Sequence, residues 1–209
     1  MRIAIIGAGN VGSALGLGWA KVGHEVIFGV RDPDSPQLMD LIKKGGPNAR
    51  ALPSREAAEV SEIVVLTVPW PVAQQVIRDL GSLRGKIVFD CTNPVMEWPK
   101  LDHSDGKSGG ERVAEWAKGA RVVKIFNSTG FENMENPRYA EGRLTMFYAG
   151  EDAAAKAVAS VLAEELGFEG QDCGPLAQSY ALEVIASLWG SLAYGQHLGR
   201  GFGFRLVKR

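Results

Sequence analysis

Long apolar runs, an excess of charge of either sign and clustered cysteines are all missing from this sequence. No stretch approaches the roughly 20 apolar residues needed to span a bilayer, so no membrane-spanning protein is expected. The 23 Lys and Arg residues against 24 Asp and Glu leave a net charge of −1. That balance gives no electrostatic footing for nucleic acid or an anionic membrane surface. Cys91 and Cys173 follow no metal or redox spacing, and two lone thiols fit a reducing compartment. Histidine is equally scarce, with only His24, His103 and His197. No Ser/His/Asp order, metal-ligand cluster or carboxylate pair stands out. No catalytic side chain and no metal site is therefore assigned. The chain opens directly into "RIAIIG", leaving no room for a secretory signal, and a cytoplasmic protein is expected.

What the sequence does have is enough apolar content, 45% over 209 residues, for one sizeable core with a short appendage. β-branched runs alternate with helical patterns. Strands are expected at 2–6, 25–30, 62–68, 86–90, 121–126, 144–150 and 168–172. Helices are expected from the Gly-rich turn to about Val22, over 35–44, around Ala57 and Ala58 with Ser54 as cap, and over 72–80, 111–119 and 152–166. A last helix runs from Ala177 to about Gln196, and a polar loop spans Thr92 to Gly110. Strands separated by helices of this length indicate right-handed βαβ units and a parallel sheet. No internal repeat is present.

The first motif is "GAGNVG", Gly7 to Gly12, which directly follows a strand and opens a helix. In that setting G-x-G-x-x-G is a dinucleotide fingerprint. Gly7 permits the tight turn, Gly9 lets a pyrophosphate approach the backbone, and Gly12 lets helix and strand pack closely. The N–H groups at the helix start, those of Asn10 and Val11 included, face the phosphates with the helix dipole behind them. The bland alternative is a structural glycine turn.

The second strand ends in "FGVRDPDS", where an NAD site would carry an acid to grip the ribose 2′-hydroxyl. Gly29 and Val30 stand there instead, followed by Arg31. A guanidinium at this point suits a 2′-phosphate, with Ser35, and Arg55 across the crevice, as further donors. Asp32 is the rival, as a ribose ligand, and a solvated turn before Pro33 is the alternative to both. NADP(H) is favoured.

Ligands of such sheets lie outside the carboxyl ends of the strands. "TVPW" (Thr67, Val68, Pro69, Trp70) and "TNP" (Thr92, Asn93, Pro94) are both junctions of that kind. Their prolines shape a rigid wall, and Thr67, Thr92 and Asn93 offer hydrogen bonds to a ribose or carboxamide, or else cap turns. Trp70 is either a platform for a planar ring or packing. Lys124 ends a strand and could face the site. His24 belongs to a structural turn, while His103 and His197 read as solvated surface.

"RIAIIGAGNVGSALGLGWAKVGHEVIFGVRD", "VVLTVPW" and "GPLAQSYALEVIASLW" together resemble the NADP oxidoreductases that depend on the deazaflavin coenzyme F420, and also the NADPH domain of six-transmembrane metalloreductases. The resemblance covers nearly the whole chain. It implies a Rossmann doubly wound, mostly parallel α/β sheet over residues 1–150, and a small C-terminal extension over 151–209 that adds to the substrate site and the dimer. It further implies a homodimer and direct hydride transfer between NADP(H) and the deazaflavin as a small-molecule co-substrate. Phosphate binding carries onto Gly7 to Gly12, the 2′-phosphate onto Arg31, and nicotinamide-side contacts onto "TVPW" and Asn93-Pro94. Asn127 and Gly130, in "FNSTGFENMENP", are assigned to the second substrate. Two departures stand out. Archaeal members usually place a hydroxyl residue where this chain has Val30, and residues 126–137 look closer to the metalloreductases. The alternatives are therefore an NADPH-dependent flavin or ferric reductase using FMN or FAD, and a module that only senses NADP(H).

Overall fold

The computed structural model describes residues 1–97 and 100–209. Trp98 and Pro99, inside the expected polar loop, lie outside the described residues. β1 (Arg2–Ile6), α1 (Asn10–Lys21) and β2 (Glu25–Val30) form the first βαβ unit, followed by α2 (Pro36–Gly45), β3 (Ala49–Pro53) and α3 (Ser54–Val60). β4 (Ile63–Leu66), α4 (Trp70–Asp79) and β5 (Ile87–Asp90) follow. A small ribbon of β6 (Val95–Glu97) and β7 (Lys100–Leu101) then precedes α5 (Gly109–Trp116) and β8 (Arg121–Lys124). The chain continues through α6 (Phe131–Glu135), the two-residue strands β9 (Arg138–Tyr139) and β10 (Gly142–Arg143), and β11 (Thr145–Gly150). It closes with α7 (Ala153–Glu165), β12 (Glu169–Asp172) and α8 (Ser179–Gly190), which runs on into a π-turn over Ser191–Gly195.

Eight strands make one sheet in the order β12-β11-β8-β5-β4-β1-β2-β3. From β3 to β8 every pairing is parallel, and the order reverses direction beside β1, the point at which ligands sit in doubly wound sheets. The inner parallel strands β1, β2, β4 and β5 are buried on both faces, hence their unbroken apolar runs. In β1, Ile3 and Ile5 join a core with Leu15 and Trp19 of α1 and Leu162 of α7. Ala4 and Ile6 point the other way, into a core with Ala57 of α3 and Ala73 and Ile77 of α4.

Several expectations need amending. β3 was not anticipated; it pairs with the whole of β2. β11 runs antiparallel to β8 and parallel to β12, so the sheet is mostly parallel, in agreement with what the family resemblance implies. Because β11 and β12 are neighbours in that sheet, the step from Gly150 to residue 151 falls between two strands of one layer. Ser54 does not cap α3: Pro53 occupies the cap and Ser54 is the first helical residue. The stretch 92–110 holds the β6–β7 ribbon as well as loop. Among the described residues no helix is long and apolar enough to cross a membrane.

Candidate active site

A cleft of about 650 Å³ opens at the carboxyl ends of β1, β2 and β4, within the size range of small-molecule sites. Its floor is the fingerprint turn. Gly7 has φ of +104° and donates its N–H to Gly29 O at 3.1 Å, a conformation that favours glycine. At Gly12 an added Cβ would stand 2.0 Å from Gly7 O and 2.8 Å from Thr67 Oγ1. At Gly9 it would meet nothing within 4 Å. The two glycines therefore have different duties: Gly12 lets helix and turn touch, whereas Gly9 leaves open space on the cleft side. No side chain caps α1 and no acid sits in its first turn. The N–H groups of Asn10, Val11 and Gly12 thus stay available to an anion, as the geometry of a helix start dictates. This arrangement fits a pyrophosphate.

Thr67 has another task than the one expected of it. Its hydroxyl is shared between Ile6 O at 3.0 Å and Gly7 O at 2.8 Å, pinning the fingerprint turn to the end of β4. Val68 and Pro69 line the cleft beside it, together with Val72 and Val76, one turn apart on α4. The two valines were not picked out from sequence. Their spacing marks them as one helix face, but exposure of Val72 there reads as ordinary surface until the cleft is seen.

At the far end stand Arg31, Asp32, Ser35 and Ser54. Asp32 Oδ1 accepts the Asp34 N–H at 3.2 Å, an Asx turn that gives it a local structural task. Arg31 is exposed and has no ion-pair partner among the described residues. Ser35 precedes α2 without using its hydroxyl as a cap. Arg55 does not line the cleft; its guanidinium lies over Gly81. Gly29 explains the missing acid. A Cβ there would come to 2.7 Å from Ile6 Cδ1 and 3.2 Å from both Ala57 Cβ and Ser54 Cα. The start of α3 occupies the space that a ribose-gripping side chain would need.

Trp70 is a correction. Its ring is 9% exposed and packs against Trp116 at 5.2 Å, with the Arg112 guanidinium 5.8 Å from its centroid. It is packing between α4 and α5, not a platform open to the cleft. Arg112 in turn holds Asp102 Oδ2 at 3.2 Å and Asp105 Oδ2 at 3.0 Å. The guanidinium pulls the Asp105 carboxyl down to about 2.

Beyond β4, the ends of β5 and β8 bring the remaining predicted residues together. Asn93 Nδ2 donates to Asn127 O at 3.0 Å, and Asn127 Nδ2 donates back to Asn93 Oδ1 at 3.0 Å. The pair joins two loops and leaves Asn127 Oδ1 buried without a partner. Phe126, just before it, adopts φ of +59°, strain of the kind that persists where surrounding structure enforces it. Pro94 is buried against the start of α5, and Gly130 caps α6 beneath the Trp189 ring.

A buried ionic cluster lies next to this pair, and sequence reasoning missed it. Lys124, fully buried, places Nζ 3.0 Å from Asp90 Oδ2, 2.8 Å from Glu183 Oε1 and 2.6 Å from Thr92 O. Glu183 also accepts the N–H groups of Gly109 and Gly110 at the start of α5, each at 3.1 Å, and meets His103 Nε2 at 2.7 Å. Burial would lower the Lys124 pKa, but Asp90 and Glu183 outweigh it and the ammonium is held above its ordinary value. Burial would likewise raise Glu183, yet Lys124 and His103 keep its carboxyl below the usual range. Lys124 does not line the cleft, His103 is not free surface, and His24 is tied to the N-terminal ammonium and Glu165. His197 is exposed at φ of +54°.

Fold and cleft together define a dinucleotide-binding protein of the Rossmann type. Residues 2–94 match the family described as NADP oxidoreductase, coenzyme F420-dependent. The chain is 30% identical to the F420-dependent NADP reductase of Methanothermobacter marburgensis, with 90% of each chain covered. It is 30% identical to that of Methanothermobacter thermautotrophicus, covering 90% of this chain and 87% of the relative. Among solved structures, a candidate F420-dependent NADP reductase from Arthrobacter sp. FB24 superposes with a TM-score of 0.89 over 100% of both chains, at 29% identity. The chain belongs to the F420-dependent NADP oxidoreductase family.

Proposed function

We propose that this protein transfers hydride between NADP(H) and the deazaflavin coenzyme F420. The observation that carries the reading is the cleft itself. An uncapped helix start stands at one end, and an unpaired Arg31 stands where Gly29 leaves no room for an acid. Gly7, Gly9 and the N–H groups of Asn10 to Gly12 would hold the pyrophosphate, and Arg31 with Ser35 the 2′-phosphate. Val68, Pro69, Val72 and Val76 supply the apolar wall, and Asn127 Oδ1 and Gly130 belong to the side of the second substrate. The nicotinamide and deazaflavin rings supply the hydride chemistry. The protein's part is alignment and exclusion of water. Arg31 and Asp32 are the only ionisable residues lining the cleft among the described residues.

A second copy of the chain is proposed to cover Tyr180, Val184 and Leu188, which lie exposed at successive turns of α8. The functional test is anaerobic mixing of NADPH with oxidised deazaflavin, FMN or ferric chelate in separate cuvettes. Stoichiometric bleaching of the deazaflavin alone supports the reading. Reduction of FMN or ferric chelate with an inert deazaflavin overturns it in favour of a flavin or ferric reductase, and binding without any reaction indicates a sensor.

A further inference from the structure

We propose that Lys124 is a positioning residue for the reacting end of the cleft, an inference that rests on the function proposed above. Its ammonium has three hydrogens, and all three are committed: to Asp90 at the end of β5, to Thr92 O just beyond it, and to Glu183 on α8. Thr92 is fixed a second time, through its N–H and hydroxyl to Asp90 Oδ1 at 2.9 and 2.7 Å. The next residue, Asn93, is the one that grips Asn127. Asn127 in turn lies three residues beyond Lys124 itself, past the positive φ of Phe126. One ammonium thus sets both strand ends from which the Asn93–Asn127 pair is built, and through Glu183 it locks them to α8 and to the start of α5. A buried lysine between two carboxylates is an expensive way to fill a core, since apolar residues of similar volume often serve stability as well or better. Placement of the two loops is what an apolar substitute could not supply.

Fixing the loops matters because hydride transfer depends steeply on alignment, with a displacement of about 1 Å costing on the order of a hundredfold. The phosphate end of the cleft is built from β1, α1 and β2, away from the cluster. Losing Lys124 should therefore spare cofactor affinity and damage the reacting end.

The experiment compares three proteins: the unmutated chain, the charge-neutral triple variant Lys124→Met/Asp90→Asn/Glu183→Gln, and Lys124→Gln/Asp90→Asn/Glu183→Gln, which keeps a donor at position 124. Neutralising the carboxylates avoids leaving buried charges unpaired, and circular dichroism checks that each variant folds. Three readouts are taken, the first two being the dissociation constant of NADPH and the anisotropy of bound NADPH emission, which reports whether the dihydronicotinamide ring is held. Single-turnover oxidation is the third. With Met at 124, affinity should stay within about threefold, ring immobilisation should be lost, and the transfer rate should fall roughly ten- to a hundredfold. The Gln variant should recover most of both. A folded Met variant that holds the ring and transfers at the normal rate overturns the positioning role alone, as does a loss of affinity that matches the loss of rate. Failure of the unmutated chain to bind NADPH overturns the proposed function, and this inference with it. A Met variant that cannot fold, while the Gln variant both folds and works normally, would leave position 124 a purely structural requirement and also contradict the proposal.

Discussion

In the proposed function Arg31 and Gly29 act as a pair, one by what it offers and the other by what it forbids. The guanidinium is the one free cation lining the cleft among the described residues, and a charge-assisted bond to a phosphate contributes about 1.5–3 kcal/mol. Arg31→Ala should therefore lower the preference for NADPH over NADH by about that amount, read as the ratio of the two dissociation constants by calorimetry. Equal affinities in the unmutated protein would contradict the assignment. The place of Arg31 at the cleft was legible in the sequence, from its position just past the end of β2. The reason for Gly29 was not. Its neighbours Ser54 and Ala57 come from the β3–α3 segment, whose strand carries too little apolar alternation to be recognised. Gly9 and Gly12 look interchangeable in the motif, yet the structure separates them. Gly9→Val should abolish NADPH binding while leaving the melting temperature nearly unchanged. Gly12→Val should lower the melting temperature itself, since its Cβ would overlap Gly7 O.

At the scale of elements, α8 is more than a closing helix. Glu183 reads as one acid in an apolar sequence, and nothing local ties it to Lys124 or Asp90, whose partnership exists only once β5, β8 and α8 meet. That is why the cluster escaped detection, whereas the fingerprint, a local motif of strand, turn and helix, did not. The folded protein holds the Glu183 carboxyl below its ordinary value of 4.5. The stability it contributes is therefore complete above that value and is lost as pH falls through the depressed folded value. Lys124, raised above 10.5, contributes stability that is complete below that value and disappears as pH rises through the folded one. Glu183→Gln should cost about 3 kcal/mol at neutral pH and should flatten the acid limb of a plot of melting temperature against pH. An acid limb identical to that of the unmutated protein would show that the carboxylate is not held as described.

For the whole molecule, the sequence yielded the parallel half of the sheet through its βαβ rhythm, but not the reversal at β11. An apolar strand buried on both faces carries the same pattern whichever way it runs. The same blindness applies to surfaces. Tyr180, Val184 and Leu188 become a stripe only when α8 is seen to leave that face uncovered. Val184→Lys with Leu188→Glu should convert a dimer to a monomer in light scattering after size exclusion, and a monomeric unmutated protein would remove the proposed second copy. The central claim, hydride exchange between NADP(H) and a deazaflavin, is tested most directly by isotope tracing. NADPH deuterated at one face of nicotinamide C4 is mixed anaerobically with oxidised deazaflavin and the protein, and the products are read by mass spectrometry and NMR. The account predicts that the deuterium of one face, and only that face, arrives on the deazaflavin without exchange with water. Appearance of the label in solvent, or a deazaflavin that remains oxidised beside bound NADPH, would contradict it.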